Sequence, residues 1–169
     1  MKTIVLVTGG FDPLHIGHIE YFKAAKQLGD ELHVGVNSDE WLTRKKGRPF
    51  MSFLDRAKLI EELGVVDRVI SFDDSDGTAC GAIYKTMATN GAWDKIIFAN
   101  GGDRTDGTTP EFKIYGDMPR IEFKFGVDGE DKMNSSSWIL EEWKAPKTER
   151  SWGYYRVIHE YETHTKVKE

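Results

Sequence analysis

Short apolar, β-branched runs alternate along this chain with segments whose apolar positions recur at helical spacing. Thr3–Val7, Glu31–Val36, Arg68–Ser71, Lys95–Ala99 and Arg120–Phe125 read as strands. Gly17–Leu28, Phe53–Leu63, Thr78–Asn90, Pro110–Tyr115 and Ser135–Trp143 read as helices. In the first helix Ile19, Phe22, Ala25 and Leu28 share one stripe, and Gly29 is placed to stop it. Ser52 is placed to cap the second, with Asp55 in its first turn. Strands alternating with helices predict βαβ units, hence an α/β fold with a parallel sheet of about five strands and helices on both faces.

Right-handed crossovers put the carboxyl ends of all these strands on one edge of the sheet. Three turn sequences follow strands and gather there: Thr8–His18, Asn37-Ser38-Asp39 and Asn100-Gly101-Gly102-Asp103. An open α/β sheet binds its ligand on that edge, where strand order reverses. The first of the three, Thr-Gly-Gly-Phe-Asp-Pro-Leu-His-Ile-Gly-His, is the most specific. Gly9 and Gly10 sit at a strand-to-helix turn, where backbone N–H groups and the helix dipole attract an anion. His15 and His18 flank the helix start with Gly17 between them, adding directional donors at the same place.

Three further stretches carry candidate chemistry. Thr43–Pro49 (Thr-Arg-Lys-Lys-Gly-Arg-Pro) concentrates cations and reads as a flexible basic loop able to close over anions. Ser135-Ser136-Ser137 stand immediately before a helical run, where a cap and a phosphate site coincide. Arg104–Thr109 is polar and unpatterned, the character of a loop that closes on substrate.

The glycine–histidine run resembles the signature loop of nucleotidyltransferases related to class I aminoacyl-tRNA synthetases. Within that superfamily it is most similar to the small cytidylyl- and adenylyltransferases acting on phosphorylated alcohols or sugars. The likeness runs from about Ile4 to about Trp143. It implies a Rossmann-like fold and a reaction in which an acceptor phosphate attacks the α-phosphorus of a nucleoside triphosphate and pyrophosphate departs. Such catalysis is positioning plus stabilisation of charge, with no covalent intermediate.

The resemblance assigns roles residue by residue. It makes His15, His18, Lys45 and Lys46 the catalytic set, donating to the phosphates or neutralising them. Gly9, Gly10, Phe11 and Gly17 line the nucleotide, as do Ser135, Ser136 and Ser137, which fit the family's second signature. Gly102 and Asp103 belong to a Gly-Gly-Asp similar to that of the sugar-phosphate adenylyltransferase domain in bacterial ADP-heptose synthesis, where the region lines base and ribose. Asp12 orients the loop or accepts from the acceptor substrate, and Arg56 matches an arginine near the acceptor phosphate. Mg²⁺ accompanies the triphosphate, with no dedicated protein cage for a metal. One departure matters. Glycerol-phosphate-type cytidylyltransferases carry Arg-Thr-x-Gly before the serines, and this chain has Asp131-Lys132-Met133-Asn134. CTP is therefore placed only slightly ahead of ATP as the donor.

Composition bounds the rest. The 169 residues suffice for one good core. A net charge of −5 gives no reason to expect nucleic acid as a partner, and no apolar run approaches membrane-spanning length. Cys80, the single cysteine, cannot form an internal disulfide, which fits a reducing, cytoplasmic setting. A homodimer is expected because relatives commonly pair. The domain reading is 1–144 for the nucleotidyltransferase unit and 145–169 for a linker and a β-hairpin-like extension. The segment from Trp152 resembles the opening strands of the cupin domain in bacterial mannose-6-phosphate isomerases, without any cupin metal ligand. It is either the start of a truncated cupin or a hairpin that docks or dimerises.

A reading from another class is a catalytically silent nucleotide-binding module. The presence of both histidines, the lysines and the serine cluster argues against it, because a silent relative would be expected to lose one.

Overall fold

The computed structural model describes residues 1–101, 109–127 and 135–144. Its elements in chain order are β1 Thr3–Gly9, α1 Ile16–Lys26, β2 Glu31–Val36, α2 Asp39–Lys46, α3 Phe53–Glu61 and β3 Arg68–Ser71. There follow α4 Cys80–Thr89, β4 Lys95–Ala99, α5 Pro110–Tyr115, β5 Ile121–Lys124 and α6 Ser136–Lys144. All four strand pairings are parallel, in the order β3-β2-β1-β4-β5. This is the α/β, Rossmann-like sheet expected; β2, β3 and β4 have the expected bounds, and β1 runs two residues past Val7 to Gly9. Among the described residues, no helix is long and apolar enough to cross a membrane.

The period of two along each strand divides the core. Val5, Val7, Val34 and Ala99 pack with Phe22 and Ala25 of α1 and Ile60 of α3. Leu6, Ile96 and Phe98 point the other way, towards Ala82 and Ile83 of α4. A strand covered on both faces needs apolar residues at successive positions, which is why Ile4-Val5-Leu6-Val7 is an unbroken run.

Three local expectations are corrected. Thr43–Pro49 is not a loop throughout, because α2 runs to Lys46 and ends at Gly47. Ser38 Oγ accepts the Trp41 N–H at 3.0 Å, Asp39 and Glu40 stand in the first turn, and Arg44, Lys45 and Lys46 in the last. Each of these complements the helix dipole, so the charge run favours helix here. α1 stops at Lys26, before Gly29; a Cβ on Gly29 would lie 2.8 Å from the Thr3 carbonyl oxygen, so close packing explains that glycine. β5 is shorter by one residue at each end than Arg120–Phe125.

The chain divides into two compact units, Met1–Ile139 and Leu140–Glu169. The C-terminal β extension read over 145–169 lies outside the described residues.

Candidate active site

β1 and β4 are neighbours at the centre of the sheet, and the chain leaves them towards opposite sides. Their carboxyl ends therefore flank the point where strand order reverses. Tyr21 of α1 ties the two together, its hydroxyl donating to the Ala99 carbonyl at 2.6 Å.

After β1 the loop turns sharply at Phe11, which has φ +49, and the Asp12–Pro13 peptide is cis. Gly9 and Gly10 are closely packed: a Cβ on Gly9 would meet the Phe11 ring at 2.8 Å, and one on Gly10 would meet the end of the Leu42 side chain at 2.9 Å. His15 is the N-cap of α1, and Ile16, Gly17 and His18 form its first turn. The two imidazoles stack, with centroids 3.7 Å apart and planes 24° from parallel.

The protonation of His18 follows from its surroundings. Its Nδ1 accepts the His15 backbone N–H at 3.3 Å, so the proton of the neutral ring sits on Nε2. Burial, and secondarily the neighbouring His15, push its pKa down to about 3. His18 is thus a neutral donor at physiological pH. Phe11 meets it edge-on with centroids 5.0 Å apart.

Asp12 is buried behind the loop and accepts the N–H groups of Phe50 and Met51 at 2.8 and 2.7 Å. Lys46 pairs with its carboxylate at 2.9 Å and also donates to its carbonyl at 2.6 Å. Burial alone raises a carboxyl pKa; Lys46 and the two N–H groups overcome it and hold Asp12 below its ordinary value. Of the two roles read for Asp12, orienting the loop is the one its contacts describe. Lys45 lies over the Trp41 ring, 4.4 Å from the centroid.

The serine cluster comes to the same loop. Ser136 Oγ donates to the Pro13 carbonyl at 2.9 Å. The Ser135 carbonyl accepts the Ile139 N–H at 3.1 Å, and Ser137 is exposed at the helix start. Two helix N-termini, those of α1 and α6, thereby converge on the glycine–histidine loop.

One expected site residue falls differently. Arg56 is fully buried, and its guanidinium is taken up by Gly10, Asn37, Met51 and Asp39. A group so engaged is not presented to an acceptor phosphate. Gly102 and Asp103 lie outside the described residues. Sequence reasoning missed Asp74, which is buried and accepts from Asn37 Nδ2, the Ser38 N–H and Ser38 Oγ at 2.6–3.0 Å, fixing the start of α2. Nothing but its place in the loop after β3 marked it. Asp39 was read only as part of a turn on the ligand edge, although an acid directly after a capping serine is a readable helix-start signal.

The described residues hold no group of three or more His, Cys, Asp or Glu suited to a metal ion. The site instead gathers N–H, hydroxyl, imidazole and ammonium donors, a set that suits the phosphates of a Mg²⁺–triphosphate. Residues 6–138 match the family described as cytidylyltransferase-like.

The chain belongs to the cytidylyltransferase-like family. This family member is 34% identical over 150 residues to the bifunctional protein HldE of Syntrophotalea carbinolica, covering 85% of this chain and 28% of that protein. It is 49% identical over 75 residues to HldE of Nitratiruptor sp., covering 43% of this chain and 16% of the relative. The chain thus spans well under a third of the length of these curated relatives. Among solved structures, a lipopolysaccharide core biosynthesis protein from Thermoplasma volcanium shares 32% identity at TM-score 0.56, over 74% of this chain and 94% of that one. A bifunctional NMN adenylyltransferase/ADP ribose pyrophosphatase from Francisella tularensis shares the fold at TM-score 0.61 and 14% identity, over 88% of this chain and 44% of that one.

Proposed function

We propose that this cytidylyltransferase-like chain transfers a nucleoside monophosphate from a nucleoside triphosphate to the phosphate of a small phosphorylated sugar or alcohol. An acceptor phosphate oxygen attacks the α-phosphorus, the bond from that phosphorus to the bridging oxygen breaks, and pyrophosphate leaves. The observation that carries this reading is the stacked His15–His18 pair at the N-terminus of α1, with the N-terminus of α6 docked on the same loop. Neutral imidazole N–H groups and helix N-termini stabilise charge on phosphate oxygens without accepting a proton. Lys45 neutralises the departing pyrophosphate while Lys46 holds the loop through Asp12; Ser135, Ser136 and Ser137 hold the triphosphate, and Gly102 and Asp103 line the base and ribose. Mg²⁺ enters with the nucleotide.

Our preferred donor is ATP, ahead of the CTP that the sequence slightly favoured. The HldE relative of Syntrophotalea carbinolica matches over most of this chain, and Gly101-Gly102-Asp103 resembles the sugar-phosphate adenylyltransferase branch. The missing Arg-Thr-x-Gly points the same way. A sugar phosphate is correspondingly the preferred acceptor.

The test is pyrophosphate release with ATP or CTP, each against a panel of sugar and polyol phosphates. Release is expected with ATP and requires the acceptor. His18→Ala is expected to lower kcat by about 10²–10³, the cost of one preorganised donor, with a much smaller loss of nucleotide affinity. If nucleotide binds but no acceptor yields pyrophosphate, the silent binding module replaces the enzyme.

A further inference from the structure

Arg56 is the largest fully buried side chain of the described residues, and its contacts are unusual for a structural cation. One nitrogen, Nη1, donates to both the Gly10 carbonyl at 2.7 Å and the Asn37 carbonyl at 2.9 Å. Nε donates to the Met51 carbonyl at 3.2 Å, and Nη2 to Asp39 Oδ1 at 2.7 Å. The four acceptors come from the loop after β1, the end of β2, the approach to α3 and the first turn of α2. A single planar group thereby sets the spacing of every described segment that leads into the site from the β1–β2 side. Stability alone does not ask for this, since a buried ion is often replaceable by apolar residues without loss.

The grip on Gly10 has a definite destination. The next residue, Phe11, is the one non-glycine with positive φ among the described residues, at +49. A side chain held there persists only when its surroundings over-determine it. Phe11 is fixed by the carbonyl behind it and by its ring, which fills the space a Gly9 Cβ would take and meets His18 and Phe22 edge-on at 5.0 and 5.1 Å. The contacts form one unbroken line: Arg56 guanidinium, Gly10 carbonyl, Phe11 ring, His18 imidazole. His18 is held from its other side by the His15 N–H and ring.

We infer that Arg56 is a positioning residue which, through Gly10 and Phe11, fixes the ring of His18 so that its Nε2–H faces the phosphates. The phosphates and the kinetic arm rest on the nucleotidyl-transfer reading; the fixing of the His18 ring does not. Lysine cannot replace it, because an ammonium lacks the planar fork that reaches carbonyls on several sides.

The experiment compares the wild-type chain with Arg56→Lys, Arg56→Ala and Phe11→Leu. It records kcat, KM for ATP and for the acceptor, thermal melting, and the ¹⁵N tautomer signature of His18 by NMR. Misplacing a donor by about 1 Å costs on the order of 100-fold in rate, so folded Arg56→Lys is expected to lose about that much kcat. Its KM for ATP stays close to wild type, and the single Nε2–H signature of His18 is lost. Added guanidinium ion is expected to restore part of kcat in Arg56→Ala. Phe11→Leu keeps every Arg56 hydrogen bond but removes the ring against His18, so it reproduces the kcat loss and carries the test if the Arg56 variants do not fold. The inference is overturned if folded Arg56→Lys keeps wild-type kcat, or if its kcat falls with the His18 signature intact. It is likewise overturned if only the acceptor KM rises, which makes Arg56 a binder. Should the wild type turn over no substrate, the functional reading fails by itself, and the His18 signature in Arg56→Lys still decides the positioning role.

Discussion

A single imidazole illustrates how much residue identity leaves unsaid. The spacing of His15 and His18 after two glycines announces a phosphate site, but not the charge the rings carry there. For His18 burial, and secondarily the neighbouring His15, decide that, and neither is written in the spacing. The folded-state pKa of His18 lies near 3 against an ordinary 6.5, so the charged form is disfavoured by folding. As pH falls from 6.5 towards 3 the unfolded chain takes up a proton that the folded chain refuses. Stability is therefore full above the unfolded value and declines through that interval. His33, lowered chiefly by burial and partly restored by Glu31, acts in the same direction, and Asp12 adds its own loss lower still, below its ordinary 3.8. Comparing wild type with His18→Gln by urea unfolding isolates the His18 share. The variant is expected to lose less stability than wild type as pH falls through the interval, and parallel curves would contradict a neutral, buried His18.

At the scale of elements, strands were the most readable feature, because a strand covered on both faces must be apolar at successive positions. Glu31–Val36, Arg68–Ser71 and Lys95–Ala99 fall where the pattern put them. α2 was unreadable by the same logic. It buries only Leu42, so no apolar stripe announces it, and its formation rests on a serine cap and on charges matched to the helix dipole. The helix also needs its end. Gly47 has φ +91 with open space where a Cβ would lie, and its N–H donates to the Thr43 carbonyl at 2.9 Å. Gly47→Ala meets no clash but forces a conformation that costs an L-residue roughly 1–2 kcal/mol. Its urea midpoint is expected to drop accordingly with an unchanged slope. The same helix end presents Lys46 to Asp12, so a neutral substitution would show that this last turn is not fixed as described.

For the whole molecule the decisive fact is strand order, which the hydrophobic pattern does not contain: five apolar strands of similar character can pair in many ways. The order β3-β2-β1-β4-β5 sets β1 beside β4, with the chain leaving them towards opposite sides. The proposed phosphate donors then come from distant parts of the sequence, since Ser136 bonds the loop at Pro13. A ligand bridging the α1 and α6 N-termini is bound by the native fold and not by its separated parts. Its binding free energy adds to global stability, about 2.7 kcal/mol at a concentration 100 times Kd. For a chain of this size each kcal/mol is worth about 2–4 °C in Tm, so Mg²⁺–ATP is expected to raise Tm by about 5–10 °C at that saturation. Inorganic pyrophosphate, which offers the phosphates without base or ribose, is expected to give a smaller shift. The chain is net negative at −5, so the attraction is local and not a property of the whole surface. Added salt should accordingly weaken the pyrophosphate shift more than the ATP shift, because base and ribose contacts are not screened. A folded protein whose Tm neither ligand moves would mean that the two helix ends converge without forming a phosphate site.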